Sequence, residues 1–165
     1  MGCDIHLHLE YRRKNSDEQW RESDTVEPNW GDRNYRMFAV MAGVRGDLEQ
    51  IVPDRDYPLD AANRTDKAYF SEISTEELRE NCYYHERILI KKNGSRTLYM
   101  REDIGYHSAN WCTTSEYEEC VNAVFKNKDG SWANDSVEWL ALLGTMKGYE
   151  MSGEYECRAV YWFDS

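Results

Sequence analysis

At 165 residues the chain is long enough for one domain with a substantial core, and 6 Trp and 12 Tyr argue against a disordered chain although 31% of its residues are charged. Acidic residues outnumber basic ones 31 to 20, and the resulting net charge of −11 repels nucleic acid and anionic membranes, so direct binding to either is not expected. The five cysteines include no Cys-x-x-Cys pair, and no leader or run of about 18 apolar residues is present, which points to reduced thiols in a cytoplasm.

The chain opens MGCDIHLHLEY. Strict alternation from Asp4 to Glu10 predicts a β-strand with Ile5, Leu7 and Leu9 on its core face and Asp4, His6, His8 and Glu10 in a row on the other. The polar stretch after Arg12 and the return through Gln19–Glu22 predict a first hairpin. Asp32 is placed to cap a helix running to about Ala42, with Gly43 as its stop. Residues Arg45–Lys67, holding two of the three prolines, read as one long irregular loop. Ser74 and Glu77, with Ile73 and Leu78 flanking, form a capping box that predicts a short helix. Apolar segments on either side of Asn93-Gly94 predict a hairpin. A helix is expected from Ser115, boxed by Glu118, and another from about Asp135 to Lys147, stopped at Gly148. The aromatic run Tyr155–Phe163 is a closing strand, apolar enough to lie beside the first. The sum is a single α+β domain over residues 1–165, with a mainly antiparallel sheet built from hairpins and three to four helices.

Two histidines at i and i+2 on a strand project from one face with Cα atoms roughly 6.5–7 Å apart, close enough for both imidazoles to reach one cation. His6 and His8 with Asp4 therefore predict a site for Zn²⁺, Mn²⁺ or Fe²⁺. Four histidines are present, and His107 in Arg101–His107 is the expected further ligand, ahead of His85, which has the alternative of covering aromatics. Glu10 or Asp103 is the expected general base for a metal-bound water, and Arg33, Arg36 and Arg45 are candidates for gripping a small anionic substrate. The bland alternatives are cross-strand hydrogen bonds for the histidines and pairing with surplus acids for the arginines. Cys3, beside the row, reads first as a buried structural thiol.

Asp4-x-His6-x-His8 resembles the strand-end metal motif of the amidohydrolase and PHP-phosphoesterase superfamilies, but over five residues only, and four histidines cannot furnish their barrels. A wider likeness runs through Met1–His6, Arg33–Ala39 leading to Ala42–Arg45, Ser74–Leu78 and Val160–Asp164. In these anchors the chain resembles a family of uncharacterised bacteriophage and prophage proteins. The resemblance implies a phage origin and a bacterial host cytoplasm, and no known activity. Its members carry a His-rich stretch before the Ser-Thr-Glu-Glu-Leu-like helix, where this chain has Ala68–Glu72 without histidine, so a ligand set drawn from that stretch is altered here.

Two function classes follow. One is a metal-dependent hydrolase of a phosphoester or amide. The other is an acidic, non-enzymatic protein that binds and inhibits a host defence or nucleic-acid enzyme, its charge mimicking a polyanion. The His row favours the first and the −11 charge the second.

Overall fold

A computed structural model describes residues 2–24, 33–76, 88–93, 95–103 and 105–164. The alternating opening forms β1 (Asp4–Arg13), which pairs antiparallel along its whole length with the closing strand β7 (Tyr155–Asp164), from Asp4 opposite Asp164 to Arg13 opposite Tyr155. The short β2 (Arg21–Glu22) completes the first hairpin on β1, and β6 (Tyr106–Thr113) adds to β7, giving the order β2-β1-β7-β6. A second antiparallel sheet, in the order β3-β5-β4, consists of β3 (Phe70–Ile73), β4 (Ile88–Asn93) and β5 (Arg96–Glu102). The β4–β5 register brings Asn93 opposite Arg96, as an Asn-Gly hairpin requires, with Gly94 itself outside the described residues.

The helices are α1 (Tyr35–Ala42), α2 (Asn63–Tyr69), α3 (Thr114–Phe125) and α4 (Val137–Glu150), the last led in by a 3₁₀ turn at Asn134–Ser136. Ile5, Leu7 and Leu9 pack on Phe38 and Met41 of α1, Tyr117 and Val121 of α3 and Trp139 and Leu142 of α4 in the main core. The opposite sheet face contributes Val160 and Trp162 to a second core with Tyr57, Tyr69, Phe70 and Met100. The His row lies on this second face, beside Val160 and Trp162.

Several element ends differ from expectation. α1 is capped by the Asn34 side chain, which accepts from the Met37 N–H at 3.1 Å, while Asp32 lies outside the described residues. Gly43 ends that helix in the left-handed region, φ 64°, where a side chain is costly. The expected loop 45–67 is interrupted by α2, because Thr65, Asp66 and Tyr69 are buried together on one side. α4 passes through Gly148 to Glu150, since Tyr149 stacks on Tyr11 and the Glu150 carboxylate accepts from Thr114 and the Cys157 N–H. These contacts outweigh the roughly 1 kcal/mol disadvantage of a mid-helix glycine. Of the helix expected after Ser74, Glu77 and Leu78 lie outside the described residues.

α3 starts earlier than expected. Thr113 caps it, Glu116 closes the box by accepting from the Thr113 N–H at 2.9 Å, and Arg55 binds both Glu116 oxygens. Burial works against ionisation of Glu116, but the Arg55 and Thr113 hydrogen bonds and the Arg55 charge together hold its carboxyl below the ordinary range. A carboxyl depressed in the folded state stabilises above its unfolded pKa and loses that contribution as pH falls through the folded one. Glu116→Gln is therefore expected to lower the urea midpoint at pH 7, with the gap to the parent protein closing below about pH 4.

Candidate functional site

Antiparallel register sets what each member of the row meets. Asp4 lies opposite Asp164, His6 opposite Trp162, His8 opposite Val160 and Glu10 opposite Arg158. The Trp162 side chain is fully buried, and both imidazoles stack nearly parallel to its indole, His6 at 5.6 Å and 13° and His8 at 4.9 Å and 10° between centroids. The Tyr106 ring adjoins His6 at 5.2 Å. The indole N–H of Trp162 is buried without a hydrogen bond.

Each member then has a partner of its own. Arg33 forks onto Asp4 at 2.5 and 3.1 Å and holds that carboxyl below its ordinary range. His6 Nε2 is 2.9 Å from Asp164 Oδ2, and His8 Nδ1 is 3.1 Å from Glu22 Oε1. Glu10 is fully buried, with Oε2 accepting from Arg158 Nε at 2.8 Å and Oε1 from the Ala62 N–H at 2.6 Å. Arg158, itself buried, also reaches Asp60 at 2.9 Å.

The expected fourth ligand is on the other side of the sheet. His107 sits opposite Phe163, against whose ring it packs, with Nε2 4.0 Å from Cys3 Sγ and Nδ1 3.0 Å from Ser108 Oγ. A register shift between His107 and Asn110, with Ser108 at φ 52°, accompanies this placement. Asp103 is an exposed turn residue that accepts from the Gly105 N–H. Of the three expected anion-binding arginines, Arg33 reaches the row through Asp4; Arg36 is exposed on α1, and Arg45 is exposed in the following turn. His85 lies outside the described residues. Among the described residues no three His, Cys, Asp or Glu side chains are grouped so as to hold a metal ion. The row is thus a line of separate pairs, and the expected convergence of Asp4, His6, His8 and His107 is not found.

The described cysteines Cys3, Cys112, Cys120 and Cys157 are free and buried, and burial pushes the Cys120 and Cys157 thiols up to about 12. These are packing residues. Sequence reasoning passed over Glu22, Asp164 and Arg158, for which the only signal was the pairing register itself.

A surface pocket of about 330 Å³ lies elsewhere, lined by Asp54, Asp56 and Glu102 together with Ala42, Tyr69, Ser108 and Ala109. Among the described residues no Lys or Arg is in that lining. Burial, and then the charge of Asp56, raise the Glu102 carboxyl above its ordinary range. No described helix is long and apolar enough to cross a membrane. A scan against protein-family models and comparisons with curated proteins and solved structures each return no significant match.

Proposed function

We propose that the chain is an acidic binding protein that docks on a partner presenting basic groups, with the His row serving as internal scaffold. The disposition of the carboxylates carries this reading. The row carboxylates Asp4 and Glu10 are held by Arg33 and Arg158, and Asp54, Asp56 and Glu102 cluster on the lining of a surface pocket, where Asp54 accepts from Gln50 and Glu102 from Tyr69. Together with a net charge of −11, that pocket suits a lysine or arginine of a basic surface. The resemblance to phage and prophage proteins would put this partner in a bacterial host cytoplasm, and the acidic charge suits a host enzyme that handles nucleic acid or acts in defence.

Affinity capture from bacterial lysate, followed by titration of the purified partner, tests the proposal. Asp54→Asn/Asp56→Asn is expected to weaken binding about tenfold, and raising salt from 50 to 300 mM to weaken it further. His6→Ala/His8→Ala is expected to bind as the parent does. A partner insensitive to salt and to the Asp54/Asp56 change overturns the reading.

One observation favours a second reading, a hydrolase of a phosphoester or amide. His6 and His8 are each held by a carboxylate, the arrangement that orients an imidazole for acid–base chemistry or for binding Zn²⁺, Mn²⁺ or Fe²⁺. On that reading the His6→Ala/His8→Ala protein loses turnover of a phosphodiester or amide screened with added Mn²⁺ or Zn²⁺, and any stoichiometric metal uptake with it.

A further inference from the structure

On the row side of the main sheet, Arg158 lies under Trp20 at 4.0 Å and Trp111 at 5.5 Å. Arg12 covers Trp20 at 4.4 Å and Arg55 covers Trp111 at 4.5 Å. The five side chains alternate as guanidinium and indole and line a cavity of about 530 Å³, within the usual size of small-molecule sites. Pro58 and Leu59 also line it, and Leu59 is 74% exposed.

Charge and hydrogen-bonding capacity diverge here. The three guanidinium groups are met by four carboxylates, Arg12 by Glu156 and Asp60, Arg55 by Glu116, and Arg158 by Glu10 and Asp60. A phosphate entering the cavity therefore finds no net positive field. Donors nonetheless remain in excess. Among the described residues the Nη groups of Arg12 and the Nε of Arg55 donate no hydrogen bond, Arg12 Nη1 standing 3.8 Å from Asp60 Oδ2 while the Asp60 oxygens accept from Arg158 and Trp20. A cavity rich in donors, with no net positive charge and apolar at Pro58 and Leu59, matches an uncharged, planar, acceptor-rich ring.

We propose that this cavity binds a 6-oxopurine ring, whose adjacent carbonyl oxygen and N7 accept a guanidinium fork while the ring lies against Pro58 and Leu59. This proposal is independent of the partner-binding reading.

Inosine titrated into the full-length protein, followed by calorimetry and tryptophan fluorescence, tests it. Saturable 1:1 binding is expected, with adenosine about tenfold weaker because an amino donor replaces the carbonyl acceptor, and with inosine 5′-monophosphate no tighter than inosine. Arg12→Lys, which keeps the charge and removes the fork, and Leu59→Asp, at an exposed position that leaves the fold intact, are each expected to weaken inosine about tenfold. No saturable inosine binding up to its solubility limit overturns the proposal. Equal affinity for adenosine, tighter binding of the monophosphate, or unchanged affinity in both variants does so as well.

Discussion

Replacing Glu10 by Gln is expected to destabilise the protein by about 3–5 kcal/mol, because it breaks a buried ion pair from one side. Glu10 is fully buried and Arg158 only 4% exposed, so the guanidinium loses its buried counter-charge and keeps only Asp60, which lies nearer the surface. The Ala62 N–H that Glu10 accepts also ties the start of α2 to β1. At this chain length the cost corresponds to a melting temperature lower by roughly 10 °C. The expectation for a catalytic base is the reverse, namely lost turnover with an unchanged melting curve. Thermal unfolding of the single variants and of Glu10→Leu/Arg158→Met separates the cases, since replacing both partners is expected to cost less than either single change. A Glu10→Gln protein that melts with the parent removes the scaffold role argued for this residue.

The opening strand was fully legible because its alternation is local, and the structure places Ile5, Leu7 and Leu9 in the core and His6 and His8 on the opposite face as expected. The α+β class and the pairing of first and last strands followed from equally local patterns. Register was not legible. Glu10 and Arg158 are 148 residues apart and His6 and Asp164 are 158 apart, and no periodicity within either strand says which residues face each other. The separate partners of the row lay hidden in that gap, since a line of four ligating side chains does not show which cross-strand neighbour each one meets.

Two strands, β3 and β6, had no clean alternation to announce them. β6 carries a register shift and a positive φ at Ser108, so His107 cannot be assigned a face by counting. Its outer side is fastened by Asn110, which accepts from the Arg55 N–H and donates to the Pro53 carbonyl. The start of α3 failed for a different reason. Both Thr113–Glu116 and Ser115–Glu118 fit a capping box, and the end of β6 at Thr113 together with the reach of Arg55 selects the first.

The other large effect is expected at Trp162. Its side chain joins the stacked imidazoles of His6 and His8 to Tyr57, Tyr69 and Phe70 below them, so truncation opens a void that several large rings cannot readily close. Trp162→Ala is expected to cost about 3–5 kcal/mol. Trp162→Phe should cost far less, about 1–2 kcal/mol, because a ring remains and the N–H it removes is one the folded state leaves buried and unbonded. The imidazole proton resonances of His6 and His8 should shift in both variants as the indole ring current is lost, while those of His107, on the far face, stay in place. Denaturant unfolding of the two variants beside the parent measures the difference directly. If Phe proves as costly as Ala, the contribution of Trp162 comes from its N–H rather than its packing, and the unbonded indole assigned here is wrong.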